Sequence, residues 1–269
     1  MKYLIRFPEG KKKAFTLSYD DGQIFDRRLV DLFDKYDVKA TFHLNAGTLS
    51  QVGENEEFLL HDELEDLFEG HEVSCHGVHH PYFSQLNDAM IVTELLEDKR
   101  ILERAVHYPV RGMSYPFGDY SDHLISIMKS LGFEYSRTVE NTNDFHIPAD
   151  FMKWHPSCHH NDALSMVDRF LHPYSYQNLL LFYVWGHSFE FDRENTWDMM
   201  EEFLKRISRL DDVWYATNIE IKEYVTAARS LIATADHDLL YNPSAQTIYI
   251  ECGNSILSIN PGTTLSLPK

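Results

Sequence analysis

The sequence predicts an α/β protein with roughly six to eight strand–helix units, the count that a closed or nearly closed barrel requires. Three observations carry this expectation. Apolar extended runs alternate with runs of helical period along most of the chain, which is the sequence sign of a parallel sheet. Reactive side chains fall just after the extended runs, where parallel α/β folds place their active sites. The tail breaks the alternation: Thr247 to Glu251 and Ser255 to Ser258 flank Cys252-Gly253-Asn254, a hairpin signal. A barrel over residues 1–235 and a small C-terminal β-hairpin appendage over 236–269 are therefore expected.

In order, Ala14 to Tyr19 reads as the first strand, Phe25 to Tyr36 as an amphipathic helix and Lys39 to Leu44 as the second strand. Glu56 to Glu69 carries apolar residues at helical spacing and stops at Gly70, before a short strand at Glu72 to Cys75. Asn87 to Val106 reads as a long helix, with charges on one face and Ile91, Leu95, Leu96, Ile101 and Leu102 on the other. Pro109 to Tyr115 is extended, Asp122 to Leu131 helical up to Gly132, and Phe133 to Arg137 extended again. Further strands are expected at Leu179 to Trp185 and Val213 to Thr217, with helices at Ala163 to Leu171 and Thr196 to Leu210.

A chain of 269 residues that is 43% hydrophobic and 13% aromatic, with 12 Gly and 10 Pro, can bury a substantial core, and disorder is not expected. The formal charge of -18, from 42 acidic against 24 basic residues, argues against nucleic acid or an anionic membrane as the main partner. A small-molecule or oligosaccharide substrate, neutral or cationic, fits better, while the oligomeric state is not legible. Met1 to Pro8 has no apolar core of signal-peptide length and no later run is long enough to cross a bilayer, so the expected location is cytoplasmic. Cys75, Cys158 and Cys252 are odd in number and widely spaced, which predicts reduced thiols.

The first strand ends in Ser18-Tyr19-Asp20-Asp21-Gly22. Neighbouring side chains on an extended backbone point to opposite sides, so one acid can face a metal while the other faces a substrate. Asp-Asp-Gly is equally a turn sequence, and the pair needs support from elsewhere. His76-Gly77-Val78-His79-His80-Pro81 follows the strand-like Glu72 to Cys75, and His76 and His80 stand four apart, a spacing that sets two imidazoles on one side of a turn. With Asp21 as the carboxylate partner, the set suits a divalent metal with an open position, Zn²⁺ first and Co²⁺, Ni²⁺ or Mn²⁺ as alternatives. His79, at i+3 from His76, ranks second as a ligand.

Together with Tyr115-Pro116-Phe117-Gly118 and the run that ends in His187, these elements resemble, in order, four motifs of the polysaccharide deacetylases of carbohydrate esterase family four. The family counterparts are Thr-Phe-Asp-Asp-Gly, His-x-x-x-His, an aromatic-Pro-aromatic-Gly loop and Leu-x-Leu-His. The resemblance implies a distorted (β/α) barrel of about seven units. It also implies a metal-dependent hydrolase that removes an acetyl group from an acetylated amino sugar, oligosaccharide or related small amide. By position, Asp21, His76 and His80 would bind the metal, Asp20 would be the general base, and His187 the general acid that protonates the leaving amine. The Phe117 backbone N–H would stabilise the oxyanion, with Tyr115 and Trp154 lining the pocket.

Two family positions differ. The Arg that buttresses the base is replaced by Ser114, with Arg111 three residues earlier as the candidate substitute. The Asp that pairs with the motif Trp is replaced by Lys153, so the carboxylate that orients His187 is another residue, such as Asp150, Asp162 or Glu190, or is absent. His155, Cys158, His159 and His160 read as a polar loop near the pocket rather than a second metal site, because no matching ligand pair stands elsewhere in the sequence. The departures keep two alternatives in view: hydrolysis of a non-sugar C–N bond, as in a cyclic amide or ureide, and a metal-retaining but inactive carbohydrate-binding protein.

Overall fold

The computed structural model describes residues 3–50 and 57–268. A short strand, β1 (Tyr3–Arg6), precedes β2 (Lys13–Asp20), which is buried at all eight positions. Such a continuous run suits a central parallel strand covered on both faces. There follow α1 (Asp26–Tyr36), β3 (Ala40–Leu44), α2 (Leu64–Leu67), β4 (Glu72–Cys75), α3 (Asp88–Val106), β5 (Gly112–Ser114), α4 (Asp122–Ser130) and β6 (Tyr135–Arg137). The second half adds β7 (Cys158–His159), α5 (His160–Leu171), β8 (Leu180–His187), α6 (Ser188–Arg193), α7 (Trp197–Ile207), β9 (Val213–Tyr215) and α8 (Asn218–Arg229).

The sheet order is β6-β5-β4-β3-β2-β8-β7, with β9 also on β2, and every pairing is parallel. Strand β8 runs along the whole of β2, whereas β9 pairs with its start (Lys13 to Phe15) and β3 with its end (Leu17 to Asp20). The sheet is thus a curled, distorted half-barrel, as expected. Its register sets Asp20 level with His43 on one side and His187 on the other. Helices cover the sheet through apolar stripes, such as Leu29, Val30 and Phe33 of α1 and Phe203, Leu204 and Ile207 of α7, which join one core with Phe15, Leu17 and Phe182 of the strands.

The predicted helix over Glu56 to Glu69 is much shorter. Glu56 lies outside the described residues, and a single 3₁₀ turn at His61–Glu63 leads into α2. The backbone before it has other partners: Leu59 N–H donates to Gly22 O at 2.9 Å, while Phe58 and Leu60 form bridges with Gln23 and Ser50. These bonds tie the segment to the loop after β2.

At the C-terminus come β10 (Ile232–Ala233), β11 (Leu239–Tyr241), β12 (Ile248–Cys252), β13 (Ser255–Ile259) and β14 (Thr264–Ser266). The expected hairpin is β12–β13, turned by Gly253 at φ 62° and Asn254. Strand β1 adds to it antiparallel to β12, and Arg6 donates to Glu251 at 2.7 Å across that pairing. Among the described residues, no helix is long and apolar enough to cross a membrane.

Candidate metal and catalytic centre

Asp20 is the last residue of β2 and is 2% exposed, while Asp21 turns into the left-handed region at φ 83°. His80 (φ 51°) and Phe117 (φ 56°) do the same. Non-glycine residues held there cost on the order of 1–3 kcal/mol each and persist where surrounding contacts over-determine them. Here the contacts surround a ligand set. Asp21 Oδ1 lies 3.7 Å from His76 Nε2 and 3.9 Å from His80 Nε2, and the three ligand atoms fall within 4.8 Å of one another.

The state of His76 tests whether this set fits a cation. Its Nδ1 lies 2.9 Å from the Ser114 carbonyl oxygen and 2.6 Å from Ser114 Oγ. A proton donated from Nδ1 to that carbonyl leaves the Nε2 lone pair facing Asp21, the outer hydrogen bond that metal-binding imidazoles usually make. The residues fit a divalent metal. The loop itself is fixed by two residues that sequence reasoning missed. Asp98, wholly buried on α3, accepts from the N–H groups of Ala46 (2.9 Å), His76 (2.9 Å) and Gly77 (2.8 Å). Asn45 Nδ2 donates to the carbonyls of His76 (2.7 Å) and Gly77 (2.8 Å). His79 instead faces Glu94 at 3.1 Å and is exposed, so the structure does not bring it to the set.

The buttress for Asp20 comes from β6. The guanidinium of Arg137, 0% exposed, pairs through Nη2 with Asp20 Oδ2, and Ser114 Oγ donates to Oδ1 at 3.2 Å. Burial pushes the Asp20 carboxyl up, but Arg137, His76, His43 and His187 outweigh it and hold it well below the usual range. Arg111 is engaged elsewhere, with Glu223 at 2.6 Å and Glu134 at 3.3 Å.

His187 ends β8 beside Asp20, and its Nδ1 lies 3.3 Å from Glu190 Oε2 of α6. Of the three carboxylates considered for His187, Glu190 is the one beside it. Asp150 caps the turn before Trp154 by accepting from Met152 N–H at 2.9 Å, and Asp162 is exposed in the first turn of α5. Burial lowers the His187 pKa, but the Glu190 contact and the charges of Asp20 and Asp21 raise it further, and the net position is above the ordinary imidazole value.

The pocket residues separate. Phe117 is half exposed, stacks on Tyr82 with centroids 3.9 Å apart, and meets the His80 ring edge-on at 4.3 Å. Tyr115 is buried, stacks on Tyr120 and donates to Met152 O at 2.8 Å. Trp154 is 0% exposed among Tyr135, Phe151 and Tyr183, so it stands in the core. Lys153 pairs with Asp122 at 2.7 Å. The histidine-rich segment is not the polar loop expected, since Cys158 and His159 form β7 and His160 opens α5; His155 Nδ1 meets Thr138 Oγ1 at 2.7 Å, and burial pushes the Cys158 thiol up to about 12. His159 and His160 both meet Glu190, a partner that spacing alone did not reveal.

A curled parallel sheet thus gathers an Asp pair, two spaced histidines and a third histidine at one rim. The polysaccharide deacetylase family model matches residues 8–136. Chitin deacetylase 1 of Cryptococcus neoformans is 29% identical over 147 residues, 51% of this chain and 30% of that protein. The peptidoglycan-N-acetylglucosamine deacetylase of Bacillus cereus is 25% identical over 128 residues, 46% of this chain and 56% of that protein. The matches thus span only 30% to 56% of the length of these two relatives. A solved Mycobacterium smegmatis structure, provisionally described as a polysaccharide deacetylase, shares the fold at TM-score 0.61 and 16% identity, covering 84% of this chain and 94% of its own. Residues 8–136, just under half of the chain, are thus similar in sequence to the polysaccharide deacetylase family.

Proposed function

We propose that the protein is a metal-dependent hydrolase that removes an acetyl group from an acetylated amino sugar, oligosaccharide or related small amide. One observation carries the reading: Asp20, kept ionised by Arg137, stands level in register with His187, directly beside the Asp21, His76 and His80 set. A divalent cation held by that set, Zn²⁺ by its donors with Co²⁺, Ni²⁺ or Mn²⁺ as alternatives, would supply Lewis acidity to the substrate carbonyl and the attacking water.

The chain's own residues account for the rest. Asp20 accepts the proton that the attacking water loses, and Arg137 and Ser114 hold both of its oxygens. Gly118 and Asp119 N–H groups close the third loop on Tyr115 O and Pro116 O, and the Phe117 N–H is the donor assigned to the developing oxyanion. His187 gives its proton to the amine nitrogen as the C–N bond breaks, so that acetate and the free amine leave. Glu190 beside Nδ1 favours the tautomer and charge state this needs.

The test is acetate release from a panel of N-acetylated sugars with added Zn²⁺ or Co²⁺. Asp20→Asn should retain metal and lose activity by about 10³-fold, within the range for a general base. Turnover at the wild-type rate would remove Asp20 from the mechanism. Hydrolysis of cyclic amides or ureides without acetate release from any sugar would move the substrate class to the non-sugar alternative.

A further inference from the structure

Three imidazoles converge on one carboxylate oxygen. Glu190 Oε2 lies 3.0 Å from His159 Nε2, 3.5 Å from His160 Nε2 and 3.3 Å from His187 Nδ1. Of these, His159, His160 and Glu190 each offer a ligand atom within 4.8 Å of the others. His159 ends β7 and His160 opens α5, and this strand-to-helix turn lets consecutive side chains aim at one point, with ring centroids 4.1 Å apart.

The fold is shaped around His160. Its ring is 0% exposed and stacks on both Tyr19, at 5.9 Å, and Phe191, at 4.1 Å. It also lies over Gly186, where a Cβ would come 2.0 Å from His160 Nδ1, so no larger residue fits at that place in β8. Yet among the described residues neither ring nitrogen of His160 has a hydrogen-bond partner. Buried polar atoms in native proteins are almost always satisfied, and those that protein atoms leave unsatisfied call for a water or an ion. His160 Nε2 approaches the carboxylate without hydrogen-bond alignment, as atoms do when they share a point rather than bond each other. Tetrahedral coordination at about 2.1 Å sets ligand atoms about 3.4 Å apart. The 3.0 and 3.5 Å separations bracket that edge more closely than the 3.7 and 3.9 Å of the Asp21, His76 and His80 set.

We propose that His159, His160 and Glu190 form a second divalent-cation site, separate from the one at Asp21. Two imidazoles and one carboxylate select Zn²⁺ or a neighbouring late first-row ion over Mg²⁺ or Ca²⁺, which prefer all-oxygen shells. Because Glu190 Oε2 also faces His187 Nδ1, an ion there fixes the carboxylate that orients His187. The site does not depend on the deacetylase reading, since it follows from the cluster alone.

The experiment counts metal. The full chain is stripped with chelator, reloaded with Zn²⁺, desalted and measured by mass spectrometry of the metal. Two equivalents per chain are expected for the wild type, and one for the Asp21→Asn, His76→Gln double variant. His160→Gln should also hold one, and His159→Asn, at a partly exposed residue, gives the same readout should the buried change prevent folding. Co²⁺ loading should show a second visible band that either variant removes. A single wild-type equivalent that the double variant abolishes overturns the proposal. The cluster would then be hydrogen-bonded, with His159 Nδ1 accepting from Asn161 N–H at 3.4 Å and Nε2–H donating to Glu190. Two equivalents retained in both His160→Gln and His159→Asn overturn it as well, by placing the second ion elsewhere.

Discussion

Asp20 ends β2 and Glu72 begins β4, so the curled sheet carries a buried carboxylate at each rim, 2% and 6% exposed. At the N-terminal rim, Glu72 accepts from Tyr135 OH (2.8 Å), Thr41 OH (2.9 Å) and Ile219 N–H (2.9 Å). Burial still pushes it up to about 7. At the C-terminal rim, Asp20 has fewer neutral donors but a guanidinium and nearby imidazoles, and it is held well below the usual range. The neutral hydrogen bonds lower the Glu72 pKa without outweighing its burial, whereas the opposite charge beside Asp20 does outweigh it. The rim with the charge is the one where parallel α/β folds do chemistry.

The change expected to break this contrast most is Arg137→Met. Without the guanidinium, the largest of the opposing charges, burial of Asp20 is offset only by the nearby imidazoles, its pKa rises, and the proposed base should be partly protonated at neutral pH. We expect kcat/KM near neutrality to fall by about 10²-fold or more, with the acid limb of its pH profile moved upward. Arg137→Lys should restore part of the charge and move that limb back. An acid limb at the same pH in Arg137→Met would show that other groups keep Asp20 ionised.

A smaller effect is expected at Glu190. Its contact raises the His187 pKa, so the protonated imidazole, the donor proposed above, persists to higher pH than a free imidazole would. Glu190→Gln removes that charge, and the alkaline limb of activity should move to lower pH, with about a tenfold loss on the alkaline side of neutrality. An unmoved alkaline limb would assign it to a different group.

Asp20, Asp21, His76, His80 and His187 were legible because each closely follows an apolar run, and position along one chain segment is what periodicity reports. Arg137 was not. It ends β6, separated from β2 by β5, β4 and β3 in the sheet, and only the curl of the sheet brings the two together. Residue spacing carries no direct record of curl. Glu190 stood among three candidates for orienting His187 and was not singled out, because it lies on a six-residue helix too short for a periodic signal, although its place three residues after His187 marks a helix start. Two signals were present and unused. Asp98 interrupts the buried stripe Ile91, Leu95, Leu102, Val106 of α3, an acid where the pattern asks for an apolar residue. Thr217 and Glu220 form the capping box that opens α8. The long helices themselves read well, as with α3, which starts after the capping Asn87, whose side chain accepts from Met90 N–H.

The smallest expected effect, at Glu72, tests the other half of the contrast through stability. The folded protein keeps this proton until about 7, whereas an unfolded chain releases it near 4.5. Because the folded pKa is the higher one, the contribution is fully present below 4.5 and is lost as pH rises through about 7. Glu72→Gln mimics the protonated form at every pH, so it should lack this loss. Between pH 5 and pH 8 the wild type should therefore lose on the order of 1–3 kcal/mol relative to the variant. That difference is several degrees of Tm for a domain of this size, and denaturant or thermal melts at the two pH values would read it directly. Parallel pH dependence in the two proteins would mean that three neutral donors suffice to keep Glu72 ionised, and the distinction drawn between the two rims would then rest on Arg137 alone.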